Sequence, residues 1–203
     1  MLRYLALGDS YTIGEGVPVT ARWPSQLAAA LRAAGIAIAE PRVIAATGWT
    51  TDELMAAIDA AEPLGQLDLV SLLIGVNNQY RGRDVHGYAD EYAALLQRAV
   101  TLAGDRPSRV LALSIPDWGA TRFGRESGRD LAQVARELDA YNATSRALCA
   151  THGVRFVDVT GIGRADPFDP SLTAEDGLHP SPALYAAWTR QALPAAQALL
   201  VGD

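Results

Sequence analysis

The stretch LVSLLIG, from Leu69 to Gly75, limits what this chain can fold into more tightly than any other. Only Ser71 interrupts its apolar run. A strand that is apolar on both faces needs both faces covered, and parallel sheets packed between helices provide that setting. The remainder of the sequence agrees, because short β-like apolar runs alternate with longer stretches of helical spacing.

A first strand is expected at Tyr4–Leu7, stopped by Gly8, and a second near Val43–Ala45. The others fall at Leu69–Gly75, Val110–Ile115 (ended by Pro116) and Arg155–Val159. Between them, Leu27, Ala30, Leu31 and Ala34 repeat at helical spacing after Pro24, which suits a first turn, and before Gly35, a terminator. Thr50 with Glu53 three residues later has the form of a capping box ahead of Leu54, Ala57, Ile58 and Ala61. Further helices are marked by Tyr88, Tyr92, Leu95, Leu96 and Ala99, by Leu131 through Leu148, and by Leu184, Tyr185 and Trp188 behind Ser181 and Pro182. Right-handed crossovers then give an α/β chain, a three-layer α/β/α sandwich on a five-stranded parallel sheet, with residues 1–203 forming one domain.

Charge narrows the partners. A net charge of −6 and scattered basic residues do not make a nucleic-acid groove, so no nucleic acid is expected. Only MLRYLAL precedes Gly8, too little for a secretory signal, and no apolar run approaches the ~20 residues of a membrane span. A cytoplasmic protein without a membrane partner is the expectation. Cys149 stands alone in a helical pattern and reads as a small buried residue.

Sheets of this kind hold ligands beyond the carboxyl ends of their strands. The polar residues there are Gly8-Asp9-Ser10-Tyr11, Gly48, Gly75-Val76-Asn77-Asn78 and Asp176-Gly177-Leu178-His179-Pro180. Each has a plain reading as a turn former, a helix cap or a loop residue. Together they contain the parts of an acyl-transfer site: a hydroxyl nucleophile, a base, an acid to orient it and donors for an oxyanion. Among three histidines, His152 falls at a helix end away from these strand ends. His86 is positioned to line the site but has no carboxylate arrangement to mark it as a base. His179 has Asp176 three residues earlier on its own loop.

These blocks resemble the SGNH hydrolases, also called GDSL esterases and lipases, over nearly the whole chain. The resemblance implies the flavodoxin-like fold of that family, no cofactor and no metal. Gly8 to Tyr11 matches its first block, with Tyr11 where the family name has Leu, and implies Ser10 as nucleophile and first oxyanion donor. The resemblance further implies Gly48 and the Asn77 side chain as the other two donors, and Asp176 and His179 as acid and base. Asn78 stands where Asp is common. The segment Ile115 to Gly119 also looks like a loop of bacterial members.

The implied activity is cleavage of carboxylic esters of a small-molecule substrate, with short acyl or acetyl groups favoured because the chain has little material for a lid. Tyr11, Trp49, Asn78, Arg81 and Trp118 are candidate pocket residues, and Arg81, Arg83 and Arg122 candidate contacts for a polar leaving group. Acyl transfer or thioester cleavage would use the same residues. A metal-dependent phosphoesterase needs more clustered ligands than three scattered histidines offer, and a binding module would leave the site idle. The absence of G-x-S-x-G separates the site from the nucleophile elbow of α/β-hydrolases.

Overall fold

A computed structural model describes residues 1–201. The strands β1 (Tyr4–Gly8), β2 (Arg42–Ala45), β3 (Leu69–Leu73), β4 (Val110–Leu113) and β5 (Arg155–Val157) form one sheet in the order β2-β1-β3-β4-β5, with every neighbouring pair parallel. The helices are α1 (Ser10–Ile13), α2 (Trp23–Ala33), α3 (Thr51–Ala60), α4 (Val76–Tyr80), α5 (Val85–Leu102), α6 (Arg122–Glu126), α7 (Leu131–Thr151), α8 (Thr160–Arg164) and α9 (Pro182–Val201). On one face α2 packs against α9, which also meets β4 and β5; on the other α3, α5 and α7 cover β2, β3 and β5. The expected three-layer α/β/α arrangement is therefore present.

The apolar run that begins at Leu69 supplies β3, in the middle of the sheet. Leu69, Val70, Leu72 and Leu73 are fully withdrawn from water, each worth roughly 1.5–3 kcal/mol. Ser71 is tolerated among them because its hydroxyl pairs with that of Tyr4 at 2.9 Å, so neither buried polar group is orphaned. The capping pattern before α3 also forms, Thr50 N donating to Glu53 Oε2 at 2.9 Å.

Three strands stop earlier than expected, two of them where side chains take over the ladder at their ends. Beyond β4, Asn142 of α7 accepts from Ile115 N at 2.7 Å and donates to Ile115 O at 2.9 Å. After β5, Val159 N donates to Ser114 Oγ at 2.8 Å. The backbone after β3 turns into α4 at Gly75, where φ is +127°. Helices α1, α4, α6 and α8 were not expected; none exceeds five residues, too short for an apolar repeat to register. Among the described residues no helix is long and apolar enough to cross a membrane.

The order of the strands reverses between β1 and β3, which opens a crevice at their carboxyl ends. Ser10 follows β1 and Asn77 follows β3, so the topology brings both to that crevice.

Candidate active site

Ser10 is the first residue of α1, immediately after β1. Asp9 caps this short helix, its Oδ1 accepting from Tyr11 N at 3.0 Å. The turn is very tight at Gly8: a Cβ there would lie 2.3 Å from Thr12 Oγ1 and 2.4 Å from Leu73 O, so only glycine lets β1 pass into α1 against the end of β3. Asp9 is fully buried, its Oδ2 has no hydrogen-bond partner among the described residues, and burial pushes its carboxyl up to about 7.

The Asp176–His179 loop braces itself. Asp176 Oδ1 accepts from Leu178 N at 2.9 Å and His179 N at 3.0 Å, while Oδ2 meets His179 Nδ1 at 2.6 Å. Ala174 N donates to His179 O at 2.7 Å across the same loop. Burial raises the Asp176 carboxyl, but the hydrogen bonds from the His179 ring and the two amides outweigh it and hold the group below its ordinary value. An ionised carboxylate only accepts, so in the neutral His179 ring the tautomer that suits Asp176 has its proton on Nδ1 and its lone pair on Nε2. The ring is nearly buried, its side chain 11% exposed, and Tyr11 meets it edge-on at 5.9 Å.

Gly48 sits in a turn closed by Trp49 N donating to Ala46 O at 3.3 Å. Its φ of +86° is the left-handed conformation that glycine adopts freely. Helix α4 faces this turn. Asn77 Nδ2 donates to Trp49 O at 2.8 Å and Arg81 Nη2 donates to Gly48 O at 2.6 Å. Asn78 accepts from Thr51 N at 3.1 Å and donates to Thr51 Oγ1 at 2.6 Å. One N–H of the Asn77 amide is thus engaged, and the amide carries a second.

A cavity of about 210 Å³ joins these pieces, with Ser10, Gly48, Asn77 and His179 at its polar end. Tyr11, Thr47, Val76, Tyr80, Trp118, Phe123 and Leu178 form the walls. Tyr80 meets Trp118 edge-on at 5.4 Å, and Arg129 lies over the Tyr80 ring at 4.5 Å. Trp118 is suspended from behind: its Nε1 donates to Gln79 Oε1 at 2.8 Å, and Gln79 Nε2 donates to Glu137 Oε2 on α7 at 2.7 Å.

The sequence profile of the GDSL-like lipase/acylhydrolase family matches residues 6–187. The chain belongs to that family. Membership of the GDSL-like lipase/acylhydrolases supports ester hydrolysis in general and a small-molecule substrate. Solved structures share the fold at low identity. The crystal structure of TesA is 20% identical, covering 98% of this chain and 99% of that one, with a TM-score of 0.75. An acetyl xylan esterase, AlAXEase, is 16% identical over 96% and 99% of the two chains at a TM-score of 0.74. A lipase/acylhydrolase from Enterococcus faecalis is 20% identical over 98% and 96%, at 0.70. No curated protein sequence matches the chain significantly.

Within this GDSL-like fold, Ser10, Tyr11, Gly48, Asn77, Trp118 and His179 share one cavity, and Asp176 stands behind His179. Three expected pocket residues do not line it. Asn78 is fully buried and ties α4 to the start of α3; Trp49 contributes its carbonyl to Asn77 while its ring packs on the core; Arg81 is bound to Gly48 O and to Glu53. The other proposed arginine contacts are also engaged, Arg83 with Asp52 at 2.6 Å and Arg122 with Glu175 O at 2.7 Å. His86 has a side chain 96% exposed, and His152 meets Leu148 O at 2.8 Å at the end of α7.

Sequence reasoning missed Thr47, Val76, Tyr80, Phe123 and Leu178. Four of them neighbour a motif: Thr47 precedes Gly48, Val76 and Leu178 lie inside their blocks, and Tyr80 is one turn beyond Asn77. Phe123 arrives from α6 with no local signal. Among the described residues no group of three or more His, Cys, Asp or Glu side chains is disposed to hold a metal.

Proposed function

We propose that this chain is one domain that hydrolyses short-chain acyl or acetyl esters through Ser10, His179 and Asp176, by way of an acyl-enzyme. The observation that carries the reading is the Asp176–His179 pair at 2.6 Å, opening onto the same cavity as Ser10, Gly48 and Asn77. Ser10 Oγ attacks the ester carbonyl while Nε2 of His179 takes its proton. Asp176 stabilises the imidazolium that results. The tetrahedral oxyanion accepts from the backbone amides of Ser10 and Gly48 and from the second N–H of Asn77. His179 returns the proton to the leaving alcohol, water repeats the attack on the acyl-enzyme, and Ser10 is regenerated.

The cavity's 210 Å³ is smaller than the roughly 300–1,000 Å³ of pockets for drug-sized ligands, which favours a short acyl group. Tyr80, Trp118 and Phe123 suit an apolar or planar group on one side. A fluorophosphonate should label the protein and spare Ser10→Ala, and p-nitrophenyl esters from acetate to palmitate should be cleaved fastest at the short end. Labelling of Ser10→Ala at the wild-type rate would reject the nucleophile, and a maximum at palmitate would reject the acyl preference. Thioesters and alcohol acceptors in the same panel distinguish hydrolysis of oxygen esters from thioester cleavage and acyl transfer.

A further inference from the structure

Asn77 and Asn78 grip one short segment from a single turn of α4. Asn77 Nδ2 donates to Trp49 O at 2.8 Å, while Asn78 Oδ1 accepts from Thr51 N at 3.1 Å, two residues further along. Helix α4 cannot place itself: it has five residues, too few to be stable alone, and its N-cap Gly75 has no side chain to bond the first turn. Its seat against the start of α3 therefore comes from side chains, and Asn78 meets Thr51 where both are fully buried.

The Asn78 amide has one orientation open to it. Thr51 N can only donate, so the atom facing it is Oδ1, and Nδ2 donates to Thr51 Oγ1 at 2.6 Å and to Glu91 Oε2 of α5 at 3.4 Å. The Thr51 hydroxyl donates in turn to the same Glu91 oxygen. Two donors thus converge on one carboxylate. A carboxylate at position 78 would still serve Thr51 N, but its second oxygen would stand 3.4 Å from Glu91 Oε2, with one hydroxyl proton between them. The surrounding charges give little relief. Arg83 lies 3.7 Å from Glu91 but is bound to Asp52 at 2.6 Å, Arg81 is taken by Glu53 at 3.4 Å, and on the α7 side Glu137 is taken by Gln79 at 2.7 Å.

We propose that Asn78 is the positioning residue for Asn77, and that it must be a neutral amide because Glu91 supplies the one carboxylate this cluster can hold. The proposal rests on the hydrolase reading above, in which the Asn77 amide is a donor to the oxyanion. The two asparagines are adjacent in one turn, so a shift of Asn78 away from Thr51 carries Asn77 with it. The oxyanion forms only in the transition state, and a displaced donor therefore costs turnover and not substrate affinity.

Asn78→Asp sets two carboxylates against each other, and such a pair shares a proton until the pH rises. Compared with wild type at the same pH, its kcat for p-nitrophenyl acetate should fall by roughly 10-fold at about pH 8, less than the 10²–10³ for outright loss of one donor, with KM nearly unchanged. At about pH 5 the loss should be much smaller. Adding Glu91→Gln to this variant exchanges carboxylate and carboxamide across the contact, and should restore most of kcat and remove the added pH dependence.

Three results would overturn the assignment: wild-type kcat in Asn78→Asp at the higher pH, a loss that is the same at both pH values, or a loss that Glu91→Gln does not reverse. Should Asn78→Asp fail to fold, the double variant carries the test alone: a folded protein with most of the wild-type turnover supports the exchange, and an unfolded or inert one overturns it. Ser10→Ala separates the two levels. If it turns over like wild type, the hydrolase reading and this inference fall together; if it is inert while Asn78→Asp is unimpaired, only the inference falls.

Discussion

The two loops that meet over Ser10 are held in opposite ways. The loop of Asp176 and His179 is braced largely from within, one carboxylate binding two amides and the imidazole within three residues, and α6 adds Arg122 on Glu175 O and Phe123 N on Gly177 O. The Gly48 turn makes one long bond of its own and is otherwise held by side chains from outside it, those of Asn77, Arg81 and Glu15, up to 33 residues away. In the proposed mechanism the acid–base pair is held mainly by local bonds, and the oxyanion pocket by tertiary ones. The first should survive damage elsewhere in the fold, whereas the second depends on how β3 and α4 sit against β2 and α3.

The strongest test of this contrast is at Asp176. Asp176→Asn keeps an oxygen for the Leu178 and His179 amides, so the loop should hold its shape, but an amide facing Nδ1 no longer selects the productive tautomer. Turnover should fall about 10⁴-fold with an unchanged thermal midpoint, measured by steady-state kinetics and calorimetry on the same sample. A large drop in midpoint would mean the loop is not self-braced. Next in size is Asn77→Ala, which removes a donor and also frees the Trp49 carbonyl. A loss of 10²–10³ in kcat is expected, and wild-type turnover of a fast ester would take Asn77 out of the mechanism.

This contrast also explains what could be read in advance. The Asp176–His179 contact is legible because the carboxylate and the imidazole it meets are three residues apart, and sequence displays local geometry directly. The inner strands β1, β3 and β4 were legible because burial on both faces writes a nearly unbroken apolar run. Arg81, expected as a substrate contact, grips a carbonyl 33 residues earlier, and such a contact leaves no pattern in the sequence around it. Asn78 was misplaced for the same reason, its partners Thr51 and Glu91 lying on other helices. Phe123 went unseen because α6 is five residues long and reaches the cavity only through the tertiary fold.

The smallest expected effect lies between the two loops, at Asp9. Burial pushes its carboxyl from 3.8 to about 7, so between those values the native state binds a proton that the unfolded chain has released. Its contribution to stability is complete below about pH 4 and is lost as pH rises through about 7. Asp9→Asn has no such titration. Denaturant titrations of both proteins should show wild type losing stability relative to the variant across that window, by at most about 4 kcal/mol. Both loops should keep their geometry. Parallel pH profiles for the two proteins would show that Asp9 does not titrate in this way.

The suspension of Trp118 has a practical side for anyone redesigning the pocket. The ring hangs from Gln79, and Gln79 hangs from Glu137 on α7, so the far wall of the cavity is adjustable from the back. A library at Glu137 and its partner Gln133, whose amide donates to Glu137 Oε1 at 2.8 Å, would retune ring orientation without altering any residue that lines the cavity.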